Sequence, residues 1–333
     1  MERKIITAES LKRTTITGLR DIKQNFFAVS LIITSGLLAY AISLIDPAFD
    51  TLFMALFMGI VFGSLYGGKK KEIISQKALS ITLPVGIILY GSNIIFPKEI
   101  EIPPAYIAVT LISTISLGFS VYLLARANNL SNKFTTLLVC GNAICGASAI
   151  AIVSSIINPK NREFSTSIII ITVVGLTGAV IYPSLYYSLN LPEIKYALLS
   201  GSTLQQTGLV KIATNQFGEH VETLALAIKA IRIAMIAVVV LLVSFLYSDQ
   251  KFYVPWYIVA FILVAFLSQN LIPYEVIVVF QPLSTLAFAI TLASIGFSVN
   301  LSDIQNVGLS PLIIVYAGWC FSVIFSLLLL SFV

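Results

Sequence analysis

The stretch Val139–Ile150, VCGNAICGASAI, lies inside a run apolar enough to cross a bilayer, yet it carries two glycines, an asparagine, a serine and two cysteines. Gly141 and Gly146 lower the cost of leaving helical geometry, where Leu or Ile would serve an unbroken helix better. Backbone freed at that depth meets no water, so protein, a cavity or a ligand must bond its amides and carbonyls. The stretch reads as a discontinuous membrane helix. Its half-helix ends would offer partial positive charge to an anion and carbonyl oxygens to a cation. Small-residue packing between helices is the competing reading. A metal site is not: Cys140 and Cys145, five apart, lie on different sides of a helix, and no histidine is near.

The surrounding 333 residues are 58% hydrophobic and 11% charged, with mean hydropathy +0.96, which places the chain among polytopic membrane proteins. Apolar length and breaker residues predict an all-α fold of about eleven spans. They run near 26–45, 51–66, 73–95, 104–125, 133–157, 164–190, 193–214, 221–247, 255–272, 276–300 and 309–332. Residues 26–333 thus form a single transmembrane domain. Residues 1–25 form a basic arm without a small-residue cleavage site, read as retained and cytoplasmic; Ile16, Leu19, Ile22 and the adjoining Phe26 share one helical face, which suits a helix on the membrane surface, and a solvated tail is the competing reading. Lys69, Lys70, Lys71, Arg126, Lys133, Lys195 and Lys251 then collect inside a cell (plasma or inner) membrane, with the N-terminus in and the C-terminus out. Lys160 and Arg162, directly after the opening stretch, are the local exception. Either that stretch crosses in an unusual way or the charge rule fails there.

Eleven spans divide as one plus five plus five, and an odd repeat length inverts the second set: repeat one about 51–190, repeat two about 193–332. The fourth members pair VCGNAICGASAI with TLASIGFSVNLSD, so a second break is expected at Ala293–Asn300, carrying Ser294, Gly296 and Ser298. The two discontinuous helices would cross.

Charged and polar residues inside spans complete the candidate site. Lys229 and Arg232 share a face of the 221–247 helix with no acidic neighbour at helical spacing to neutralise both. Either an anionic ligand or the carbonyls of a broken helix would meet them. GSTLQQTGLVK places Gln205 and Gln206 in a polar membrane segment that lines an aqueous path or a ligand. The candidate binding set is Gly141, Asn142, Gly146, Ser148, Gln205, Gln206, Lys229, Arg232, Ser294, Gly296 and Ser298. The net charge of +5 follows membrane topology and implies no nucleic acid, His220 is a loop residue, and the three cysteines form no disulfide framework. No nucleophile–base set and no phosphate loop occur, so catalysis and ATP drive are not expected.

CGNAICGASAIA resembles the signature of the sulfate exporter family of the YeiH type. The likeness continues through GSTLQQTG, AIKAIRIAMIAVVVLL, VPWYIVAFILVAFLSQN and AITLASIGFSVNLSDIQNVGLSPL. It implies the inverted-repeat architecture of bile acid:sodium symporters and sodium/proton antiporters. Carried over are Cys140, Gly141, Ile144, Cys145, Gly146, Ser148, Ala149, Lys229, Arg232 and Gly296. Gln205 and Gln206 stand where the family has a His-Glu pair, and Leu209 replaces its following Gln, so any proton coupling through that pair is lost here.

The expected function is secondary transport of a small anion (sulfate, or a small sulfonate or carboxylate) by alternating access. The alternatives are a sodium-coupled symporter of larger organic acids and a non-transporting receptor or scaffold. No cofactor or metal is expected beyond a coupling Na⁺ or H⁺. The expected partners are the anion, membrane lipids and a second copy in a homodimer.

Overall fold

A computed structural model describes residues 26–45, 51–66, 71–93, 102–247, 256–298 and 308–332, and the basic arm 1–25 lies outside them. All regular structure among these residues is helical. The helices are α1 (Phe26–Ile45), α2 (Thr51–Tyr66), α3 (Lys71–Tyr90), α4 (Pro104–Ala127), α5 (Asn132–Cys140), α6 (Ala147–Ile157), α7 (Asn161–Ser188), α8 (Glu193–Thr203), α9 (Thr207–Thr214), α10 (Glu219–Leu246), α11 (Trp256–Asn270), α12 (Tyr274–Ser298) and α13 (Ser310–Leu330). Seven of them, α1, α3, α4, α7, α10, α12 and α13, are long and apolar enough to cross a membrane.

The expected crossing at 133–157 is corrected. Ser131, the N-cap of α5, donates to Glu163 Oε1 at 2.6 Å, and Lys133 Nζ donates to the Asn158 carbonyl at 2.8 Å. The start of α5 therefore lies beside the end of α6, and the segment is a re-entrant hairpin. The expected crossing at 193–214 is corrected in the same way. Tyr196 at the start of α8 donates to the Ala213 carbonyl at 2.6 Å, and its ring sits 4.8 Å from that of Phe217 beyond α9. Arms of 9, 11, 11 and 8 residues reach about 12–17 Å, half of a bilayer core of about 30 Å.

The hairpins enter from opposite sides. Pro311, at the start of α13, shares a pocket with Ser131 and Lys160 at the base of the first hairpin. At the other end of the same helix, the Leu330 carbonyl accepts from Lys195 Nζ at 2.7 Å, beside the base of the second. The 21 residues of α13 separate the two bases by about 30 Å. Each hairpin is followed by a helix of 28 residues, α7 or α10.

The second break is also displaced from its expected place. α12 runs unbroken through Ser298, while residues 299–307 lie outside the described ones. The observed break is at Leu204–Gln206, where extended backbone separates α8 from α9. The small residues of 293–298 serve packing instead. A Cβ at Gly296 would lie 2.3 Å from the Leu56 carbonyl oxygen, and one at Gly59 would lie 2.2 Å from that of Ala293, so α12 and α2 touch through their backbones.

The helices fall into two groups. α1, α2, α3, α11 and α12 pack on one another, and α4 to α10 with α13 form the second group, which holds both hairpins. The groups touch along α3–α6, α2–α7 and α12–α7.

Topology can be read by labelling. In a Cys320→Ser background, Asn128→Cys and Lys160→Cys should react with an impermeant maleimide from one side of the membrane and Gln216→Cys from the other. Opposite-side labelling of Asn128→Cys and Lys160→Cys would restore a crossing at 133–157.

Candidate functional site

The first hairpin turns through a single wide turn, Gly141–Cys145, closed by a bond from the Gly146 amide to the Gly141 carbonyl at 3.0 Å. Gly146 then adopts φ +68° and ψ −130°, a region that side chains with a Cβ rarely enter. Space excludes one as well, since a Cβ there would lie 2.7 Å from Gln206 Cγ of the second hairpin. The two tips thus meet at Gly146 and Gln206. Gln205 Nε2 adds a bond to Asn142 Oδ1 at 2.9 Å, and Asn142 Nδ2 donates onward to the Leu117 carbonyl of α4 at 3.2 Å.

Both tips expose carbonyls that no helical amide reaches, and α10 answers them. Lys229 and Arg232, three apart on one face and both fully buried, point into the junction. Lys229 Nζ donates to the carbonyls of Ile144 at 2.8 Å, Leu204 at 2.7 Å and Gln205 at 2.5 Å. Arg232 Nε donates to Ala143 at 3.0 Å, one terminal nitrogen to Ala143 at 2.7 Å and Asn142 at 3.1 Å, and the other to Leu204 at 2.6 Å and Gly201 at 3.3 Å. An ammonium has three N–H donors and a guanidinium five, so every donor of both cations is committed to backbone. Of the two partners open to Arg232 in the sequence, the carbonyls are present in the structure.

The complementary ends of the broken segments differ. α6 and α9 begin at Gly146 and Gln206 with no side-chain cap on either. Their first-turn amides and aligned peptide dipoles carry partial positive charge into the junction. The Tyr90 hydroxyl, from α3 of the other helix group, lies against Cys145 and Ser148.

Two acceptors at the tips have no partner among the described residues: Gln205 Oε1 and Gln206 Oε1, both buried. They converge on α7, where a Cβ at Gly175 would lie 3.2 Å from the first and 3.5 Å from the second. Gln206 Nε2 donates to Thr172 Oγ1 one turn earlier on α7, at 3.2 Å.

A cavity of about 330 Å³ opens between the helix groups on the side of the first hairpin's base. Ser80 and Pro84 of α3 line it opposite Ser154, Ser155 and Asn158 of α6, with Asn161 of α7 at its edge. Tyr90 lies six residues beyond Pro84, and Ser148 six before Ser154, about 9 Å deeper along antiparallel helices. The cavity therefore leads toward the uncapped start of α6.

The structure brings together Gly141, Asn142, Gly146, Ser148, Gln205, Gln206, Lys229 and Arg232. It does not bring Ser294, Gly296 and Ser298 to them. Ser294 Oγ donates to the Ser75 carbonyl at 2.8 Å, and Ser298 Oγ accepts from Asn161 Nδ2 at 3.3 Å, both toward the end of α12. Tyr90, Thr172 and Gly175 are additions. A tyrosine closing an apolar helix and a glycine within a long one carry no distinguishing signal in the sequence.

Comparison with known proteins adds the following. A family model described as Conserved hypothetical protein 698 matches residues 27–315. The chain is 48% identical over 309 residues to a UPF0324 membrane protein of Archaeoglobus fulgidus, covering 93% of this chain and 94% of that one. It is 30% identical over 239 residues to a UPF0324 membrane protein of Bradyrhizobium diazoefficiens, covering 68% of each. A Bartonella henselae UPF0324 membrane protein is 28% identical over 237 residues, covering 68% of this chain and 67% of that one. No solved structure matches.

Removing the guanidinium should cost more than removing any one contact. Arg232→Ala strands carbonyls whose desolvation costs about 1–3 kcal/mol each, and Arg232→Lys, with three donors for five, should fall between it and wild type. Thermal unfolding in detergent should rank wild type above Arg232→Lys above Arg232→Ala. Equal midpoints would show that the tips do not depend on Arg232.

Proposed function

Taking as premise that the chain belongs to the Conserved hypothetical protein 698 family, whose relatives are UPF0324 membrane proteins, we propose that it is a secondary transporter of a small anion working by alternating access. The observation that carries this reading is the charge balance at the hairpin tips. Two buried cations commit all eight donors to tip carbonyls, two uncapped helix starts face the same junction, and no carboxylate meets either cation among the described residues. Carbonyl dipoles satisfy the hydrogen bonds without cancelling two whole charges. The junction stays positive inside a medium of low dielectric, where an anion neutralises it best.

In this reading the anion comes to rest at the start of α6, bounded by Ser148, Cys145 and Tyr90. Helix starts bind sulfate, sulfonate and carboxylate groups through free amides. Alternating access arises between the two helix groups: the second carries the tips, and the first closes over them through Tyr90. The cavity beside α3 and α6 is the approach from one side. Hairpin one with α7 and hairpin two with α10 are taken as inverted counterparts, with α2, α3 and α4 answered by α11, α12 and α13. That order is a circular permutation of the repeat read from the sequence.

Orientation follows from charge. With the first hairpin returning to its own side, Lys160 and Arg162 join Lys71, Arg126 and Lys133, which removes the local exception and keeps the N-terminus inside. Lys195 moves to the outside with Lys211. No carboxylate or imidazole reaches the tips among the described residues, so anion exchange, which needs no proton carrier, is the favoured mode.

Counterflow in proteoliposomes tests the reading. Labelled sulfate, a small sulfonate or a small carboxylate should accumulate against a preloaded unlabelled pool. Ser148→Ala and Tyr90→Phe should raise KM with unfolding midpoints unchanged. Gln205→Glu, which buries a carboxylate at the junction of the hairpin tips, should lower uptake by about tenfold or more. Failure of all three anion classes with correctly folded protein would remove the proposal.

A further inference from the structure

Away from the tips' polar junction, an apolar groove runs between α4, α5 and α10 on the outer face of the second helix group. Its volume is about 560 Å³. Phe119 and Tyr122 of α4 form one wall, Val238 and Leu242 of α10 the other, and Ala143 and Ile144 of the first hairpin's tip lie at its deep end. We propose that this groove is a binding site for one acyl chain of an anionic membrane lipid, with the headgroup held by Arg126.

Length supports an acyl chain. The α10 wall runs from Met235 to Leu246, a rise of about 16 Å along the helix, which is half of a bilayer core of about 30 Å. The groove therefore extends from the headgroup level to mid-membrane. Its apolar walls and this depth match an alkyl chain reaching inward from the headgroup level.

The shallow end changes chemistry. Thr136, a lining residue, shares a 2.8 Å hydroxyl bond with Tyr247 at the end of α10. One turn beyond Tyr122, on the same face of α4, stands exposed Arg126. A single guanidinium nitrogen donates to Asn132 Oδ1, and the others have no partner among the described residues. A planar fork with spare donors at the headgroup level suits a phosphate. Neutral, apolar walls would not hold a small anion, so this site is separate from the proposed transport path.

Position gives the lipid a consequence. Ala143 and Ile144 close the deep end with their side chains while their carbonyls accept from Arg232 and Lys229. An acyl chain seated there packs against the tip that the two cations hold.

Native mass spectrometry of the full-length protein, offered phosphatidylglycerol and phosphatidylcholine with identical acyl chains, tests the site. Wild type should retain phosphatidylglycerol preferentially. Val238→Trp or Leu242→Trp, each filling the groove from an exposed position, should cut retention by about tenfold without shifting unfolding in lipid-free detergent. Arg126→Gln should keep binding but bring the two lipids to parity. Unchanged retention in both tryptophan variants overturns the groove, and a persistent phosphatidylglycerol preference in Arg126→Gln overturns the headgroup assignment. If the tryptophan variants instead dissociate a dimer with lipid retention intact, a second copy covers this face and the proposal fails.

Discussion

The architecture depends on one constraint: chain that turns back at mid-membrane leaves carbonyls that neither water nor helix can satisfy. The first hairpin exposes those of Asn142, Ala143 and Ile144, and the second exposes those of Gly201, Leu204 and Gln205. Lys229 and Arg232 take all six. Leu204 is shared by both cations, and each of them bridges the two tips, Arg232 from a single rigid plane. One face of α10 thus fixes two hairpins that come from opposite sides, which neither hairpin could do alone with 8 to 11 residues per arm.

The same solution sets the electrostatics. A buried cation is costly in hydrocarbon, and carbonyl oxygens offset part of that cost through hydrogen bonds while leaving its net charge in place. Helix polarity then sorts the junction. The ends carrying carbonyls are covered by Lys229 and Arg232, and the ends carrying amides, at α6 and α9, are left uncovered. In the proposed mechanism, structural need and anion selectivity are two consequences of one arrangement, so the alternatives weighed for Arg232 in the sequence do not exclude one another.

The sequence made the first break legible because Gly141, Asn142 and Gly146 interrupt an otherwise apolar run, and it made the junction legible because Lys229, Arg232, Gln205 and Gln206 are costly at that depth. It did not separate a hairpin from a crossing. A half-length helix, a turn and another half-length helix have the same apolar length as one span, so counting yields eleven either way. The signal that distinguishes them was Lys160 and Arg162, which violate the charge rule only if the stretch crosses. The second break was misplaced for a related reason. Glycine and serine at 293–298 serve close backbone packing, Gly59 against Ala293 and Gly296 against Leu56, and composition alone does not separate packing glycines from breaking ones. Gln205 and Gln206 read as a lining, although polar side chains at a tip mark a turn equally well.

Rigidity decides where movement occurs in the proposed cycle. The tips are tied to α10 by eight hydrogen bonds and to α4 by Asn142, so the hairpins, α10 and α4 move together or not at all. The first helix group is just as firmly joined: Gly36 meets Ile290, Gly63 meets Phe297, and Ser284 Oγ bonds the Gly86 carbonyl at 3.0 Å. Between the groups the polar links are sparse. Tyr90 lies against Cys145 and Ser148, and Asn161 reaches Ser298 at 3.3 Å. Two well-packed bodies joined by a few exchangeable contacts favour rigid-body displacement over local refolding. The interface that must shear is the one that contains the cavity between α3 and α6, with Tyr90 deeper along α3. An anion held at the start of α6 would therefore travel with the second group, and Tyr90 would be the contact released and remade as it does.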